Sequence, residues 1–232
     1  QGTETTIGSI NTQDKMFIRF SDQEDRTDYV PVSTNTAGTF QLDSGSKIVS
    51  AARGKDYIFI VTDTSAYIMQ FVGPPFTFSI RQVGSNCGAM SQHSLVHVDG
   101  IMYWMGKSGG FYAYDGGSVK KITCSVEDFV FTTQTSNDLG FNFGQSEQVF
   151  AGYNTLFTEI NWFYCKDGST QIDRCVTLNY REGLWTTSSL ARTAYSDKYV
   201  LDNPYATEYN STGLPSVLSL IHISEPTRQV QI

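Results

Sequence analysis

The stretch GIMYWMGKSGGFYAYDGG, residues 100–117, sets the tightest limit on what this chain can become. An alternating hydrophobic run, a Gly-rich turn and a second aromatic run closed by Asp-Gly make a β-hairpin. The same shape returns upstream in DYIFIVTDTSAYIMQFVG, residues 56–73, with its turn around Asp63. It returns downstream in EINWFYCKDGSTQIDRCVTLNYREG, residues 159–183, with a longer turn containing Asp167-Gly168. A β-rich run precedes each hairpin (KIVSAAR, HSLVHV, QVFAGY) and another follows it (FTFSIRQV, SVKKIT, LWTTSSL), so every unit has four strands. The units begin near Lys47, His93 and Gln148, a period of roughly 45 to 55 residues, which is that of propeller blades. No stretch of helical length carries a 3.6-residue period, which excludes helical arrays of similar repeat. The expectation is an all-β chain, a β-propeller of four-stranded antiparallel blades near residues 47–83, 93–123 and 148–190. Three blades cannot close a ring, so the propeller should be incomplete, an open arc from a fragment of a longer chain. Contact between blades should bury Tyr103 or Trp104, Phe111 or Tyr112, and Trp162 or Tyr164.

Apolar residues make up 40% of the 232 and aromatic ones 13%, enough for a sizeable β core. Sixteen Lys and Arg against 23 Asp and Glu give a net charge of −7, which offers no basic footprint to nucleic acid or an anionic membrane. No apolar run approaches the length of a membrane span, and QGTETTIGSINTQ has neither the basic nor the apolar region of a signal peptide. Residues 1–15 read as a polar linker and 16–217 as the propeller domain. From Leu218 the texture changes. LSLIHISEPTR, residues 218–228, resembles the in-frame translation of a transposon-based sequencing adapter, and residues 218–232 are expected to be a non-native tail with no evolved packing partner.

Few residues suggest chemistry. Cys87, Cys124, Cys165 and Cys175 show no C-x-x-C spacing, and Cys165 and Cys175 flank the third hairpin turn either as a cross-strand disulfide or as buried thiols. His93 and His97, four apart in a strand, would lie about 13 Å apart, too far to share a metal. The acidic run SDQEDRTD, residues 21–28, lacks the central Gly and the bidentate Glu of a calcium loop and reads as a solvated turn. A propeller hydrolase would need carboxylates converging from inner strands. Asp56, Asp99, Glu127 and Glu159 are the candidates, Asp56 and Asp99 reading better as turn residues and Glu159 standing alone. Trp104, Tyr112, Trp162 and Trp185 could stack on sugars or bases, but their alternation within strands favours packing between blades. SGSK and KSGGF are too short to cradle phosphate, and no G-x-S-x-G or H-E-x-x-H is present. No catalytic, cofactor-binding or metal-binding residue is assigned.

Taken in order, RFSDQEDRTDYVP, TNTAGTFQLDSGSKIV, TDTSAYIMQFVGPPFTF, VDGIMYWMGKSGGFYAYDG, CSVEDFVF, QVFAGYNTLFTEINWFY and DRCVTLNYREGLWTTSSLARTAYSD resemble the tail hub, nozzle or packaged-DNA stabilization proteins of short-tailed bacteriophages. The resemblance runs from about residue 16 to 205. It implies a virion structural protein without enzymatic activity or cofactor, assembled in the host cytoplasm as a homo-oligomeric ring below the portal. Its partners would be the portal or other tail proteins, with duplex DNA passing through the channel without tight binding and no membrane insertion. Departures are mild: Phe20 stands where relatives carry Trp, and the third hairpin has gained Cys165 and Cys175. The alternative is a glycan-binding or glycan-hydrolysing propeller, against which the S-x-D-x-G-x-T-W signature is missing. A cellular adaptor of the WD40 type would carry G-H and W-D at the blade period, and neither appears.

Overall fold

The computed structural model describes residues 3–4, 12–132, 140–197, 204–209 and 215–219. Two short antiparallel pairs come first, β1 (Thr3–Glu4) with β2 (Thr12–Gln13) and β3 (Phe17–Phe20) with β4 (Gly38–Gln41). The first blade is β5 (Ile48–Arg53), β6 (Ile58–Thr62), β7 (Ser65–Phe71) and β8 (Phe78–Ser85). The second is β9 (Leu95–Val98), β10 (Ile101–Met105), β11 (Phe111–Tyr114) and β12 (Val119–Ile122). The third is β13 (Phe150–Asn154), β14 (Glu159–Tyr164), β15 (Arg174–Asn179) and β16 (Leu184–Ser188). A three-stranded sheet of β17 (Arg192–Ser196), β18 (Tyr205–Tyr209) and β19 (Pro215–Ser219) follows. In every blade the strands pair in chain order and antiparallel, so the repeating hairpin is the middle of a four-stranded meander. The blades fall within a few residues of the boundaries that the sequence repeat sets.

Strand alternation decides which blade each side chain meets. On β10, Met102 and Trp104 pack with Phe59, Val61, Ala66 and Ile68 of the first blade. Tyr103 and Met105 point the other way, against Ile160, Trp162, Val176 and Leu178 of the third. Ile60, Tyr67 and Met69 turn from the first blade toward Met16 and Leu42 beside β3 and β4. Trp104 and Trp162 are wholly buried, each such side chain contributing on the order of 2 to 3 kcal/mol. Facing sheets also meet along their first strands: β9 lies against β5 and β13, and β13 against β17. The Ser50 hydroxyl donates to the Gln92 carbonyl at 2.7 Å, and the Ala151 N–H to the His93 carbonyl at 2.8 Å. First strands gathered about one axis, with meanders running outward, define an incomplete β-propeller.

The connection between the second and third blades, residues 123–149, is three times as long as that between the first and second, residues 86–94, which explains the uneven repeat. It holds a five-residue helix, α1 (Glu127–Phe131), that the β pattern does not announce. Its purpose is packing, because Val130 and Phe141 sink into the core between those blades. All four cysteines are free and buried. Register places Phe163, not Cys165, opposite Cys175. Burial pushes the Cys175 thiol up to about 12 and the other three to about 11, so none carries a thiolate at neutral pH. At the end of the chain, Leu218 and Ser219, the first two residues of the adapter-like segment, pair with Ala206 and Tyr205. Leu220, Ile221, Ile223 and the rest of that segment lie outside the described residues.

Candidate functional site

The structure distributes the sequence candidates. Trp104, Trp162 and Trp185 are interior. Each indole N–H donates to a main-chain carbonyl, that of Cys87 at 2.7 Å, Ser94 at 3.0 Å and Thr123 at 3.0 Å respectively. Tyr112 stacks on Trp104 at 5.8 Å and donates to the Asn86 carbonyl. These rings hold blades together, as their alternation predicts. In the acidic run, Asp22 accepts from the Thr36 N–H and hydroxyl at 2.7 and 2.6 Å, and Asp25 accepts from both groups of Thr27. Asp28 accepts from Val30 and Asn35. The carboxylates thus tie the loop to itself. Among the described residues no group of three His, Cys, Asp or Glu is placed to hold a metal ion.

Asp56, Asp99 and Glu159 each stand at or beside the first hairpin turn of their own blade, and Asp99 has a positive φ of 50°. Glu127 lies in α1, paired with Lys121 at 2.6 Å. Glu159 differs from the others. It is half-buried, its carboxylate makes no hydrogen bond or ion pair among the described residues, and burial raises that carboxyl above the ordinary range. Beside it Tyr195 has a buried hydroxyl with no hydrogen-bond partner among the described residues. Burial first, then the carboxylates of Asp197 and Glu159, drive that phenol upward. The Tyr195 ring lies over Gly152, where an added Cβ would come within 2.4 Å of it and force the ring to move.

This cluster sits between the third blade and β17–β19. A bulge between Arg192 and Ala194 turns Arg192 and Tyr195 to the same side of that sheet. Arg192, 5% exposed, pairs with Glu208. Asn161 accepts from the Thr177 hydroxyl at 2.6 Å, and Phe163 meets Tyr195 at 6.1 Å.

Next to it, at the start of β13 and β17, an open cleft of about 660 Å³ is lined by His93, Gln148, Phe150, Gln171, Thr193 and Tyr195, with Ala151, Ile172 and Ala194. Of these residues, the sequence analysis weighs only His93 as a possible ligand. The others come from separate loops, from β13 and from β17, a strand outside the repeat, and no local pattern joins them. A second cleft, of about 510 Å³, lies on the first blade among Ile58, Met69, Phe71 and Phe78, with Arg53, Lys55 and Asp56 at its rim.

No family model matches the chain, and no curated protein matches it. Among solved structures, a putative 6-phosphogluconolactonase from Bacteroides uniformis is similar at 12% identity and a TM-score of 0.48, over 78% of this chain and 58% of that one. Hsv2 of Kluyvelomyces marxianus is similar at 7% identity and 0.47, over 90% and 58%. The Pan2 WD40 domain of Neurospora crassa is similar at 11% and 0.40, over 77% and 48%. The chain thus spans less than two thirds of each. With every TM-score below 0.5, the strand order and facing aromatic layers define the fold, not these likenesses.

Proposed function

We propose that this chain is part of a structural subunit of a short-tailed phage tail, in the ring below the portal that retains packaged DNA and conducts it during ejection. The observation that carries the proposal is the extent of the resemblance. It runs from about residue 16, close to Met16, the first buried core residue described, to about 205, and so takes in all three four-stranded blades. Charge supports a conduit rather than a clamp. Affinity for duplex DNA grows with each Lys or Arg that displaces counterions from phosphate. Here the inner strands β5, β9, β13 and β17 carry Arg53 and Arg192 as their only Lys or Arg residues, and Arg192 is already paired with Glu208. Gel-shift titration of the chain with duplex DNA at about 50 mM salt should show nothing tighter than the non-specific range, about 10⁻⁴ M. Micromolar binding with a steep salt slope would refute the conduit and point to a protein that grips DNA.

A further inference from the structure

The cleft at the start of β13 and β17 has the chemistry of a ligand site. Its volume, about 660 Å³, lies in the range of small-molecule sites, roughly 300 to 1,000 Å³. Among the described residues the lining contains no Lys, Arg, Asp or Glu. An ion would find no opposite charge among those residues, and a wholly apolar ligand would strip water from amides and an imidazole without replacing the hydrogen bonds. The polar groups are ones that both donate and accept, or can do either. Two of them, the exposed side chains of His93 and Gln171, have no partner among the described residues. The lining also holds aromatic rings: Phe150 stacks on Phe163 at 4.8 Å and 21°, and the Tyr195 ring lies over Gly152.

A pyranose offers the matching surfaces, hydroxyls at its edge and C–H groups on its face, without charge. We propose that this cleft binds a neutral oligosaccharide, with His93 and Gln171 hydrogen-bonded to its hydroxyls and Phe150 backing a ring face. The cleft is open to solvent rather than enclosed, which suits a chain of sugars rather than a sealed-in monosaccharide. The site does not depend on the ring reading: a tail subunit or any other propeller could carry it.

The test is isothermal titration of the purified chain with maltopentaose, cellopentaose, mannopentaose and chitopentaose. At least one should bind with a Kd of about 10⁻⁴ to 10⁻³ M. His93→Ala and Gln171→Ala, both on exposed side chains, should leave the melting temperature unchanged and each weaken that binding about tenfold, the loss of one hydrogen bond in the site. Phe71→Ala, in the other cleft, should leave it unchanged. No binding by any of the four sugars at about 10 mM would overturn the proposal, as would binding that survives both cleft substitutions. Tighter binding of an acidic oligosaccharide would overturn the neutral class. Failure of this test leaves the DNA titration untouched, so the two proposals fall separately.

Discussion

The two faces of the third blade are made from alternate residues of the same strands, and they are built on different physics. Toward the second blade, β14 and β15 present Ile160, Trp162, Tyr164, Val176 and Leu178, where Phe111 lies 4.9 Å from Trp162 and 4.5 Å from Trp185. Toward β17–β19 they present Glu159, Asn161, Phe163, Cys175 and Thr177, facing Arg192 and Tyr195. The first face gains from area and tolerates small shifts, because dispersion and burial have no preferred direction. The second depends on hydrogen bonds and one largely buried ion pair, which define geometry but recover little beyond their own desolvation. The β17–β19 sheet should therefore open before the blades part.

The comparison breaks most easily at Trp162. Trp162→Ala should cost about 3 to 5 kcal/mol, read as a fall in the urea midpoint of the whole domain. A loss below about 1 kcal/mol would mean that the aromatic layers do not carry the stability assigned to them. Arg192→Met should cost less, about 2 kcal/mol, because Glu208 keeps a third of its exposure. Hydrogen exchange should quicken in β17 and β18 while β10 and β14 stay protected. Quickening spread evenly over all sheets would erase the distinction between the faces.

Asp63 sharpens it from the polar rim of the first two blades. Burial alone would raise its carboxyl, but the Ser46 hydroxyl and the Ser46 and Lys47 N–H groups, with Lys107 nearby, hold it down to about 2. A depressed carboxyl adds stability above its unfolded value and loses it as pH falls through about 4 to 2. Asp63→Asn should remove about 1 kcal/mol at neutral pH, after allowance for solvent screening, and flatten this acid limb. The smallest effect belongs to Glu159, where the sign reverses. Its raised carboxyl binds more protons folded than unfolded, so its contribution declines as pH rises from the ordinary value through the raised one. Glu159→Gln should stabilise the neutral protein by up to about 0.5 kcal/mol. Destabilisation instead would reveal a partner for the carboxylate.

The repeat was legible because a hairpin is local: alternation, a Gly turn and closing aromatics all lie within 18 residues at 100–117. The interior status of Trp104 and Trp162 followed from the same alternation. That Glu159 and Asn161 are polar is visible in EINWFY, but that a bulged strand would turn Arg192 toward them is not, since a bulge leaves no residue signature in RTAYS. The cleft was illegible for a related reason. Gln148 and Gln171 meet Thr193 only where the third blade packs against the β17–β19 sheet, and their separation in sequence bears no relation to that meeting. Helix α1 was hidden because its five residues are fewer than two helical turns and are set by the core they plug.

The three indole hydrogen bonds all run backward along the chain. Trp104 reaches Cys87, Trp162 reaches Ser94, and Trp185 reaches Thr123, each acceptor lying nearer the amino terminus than its donor. During synthesis the acceptor has already left the ribosome when the tryptophan appears, so a newly made blade meets a finished surface and need not wait for residues still to come. Translation order and docking order are then the same, and the arc can grow one blade at a time without long-lived exposed sheet faces.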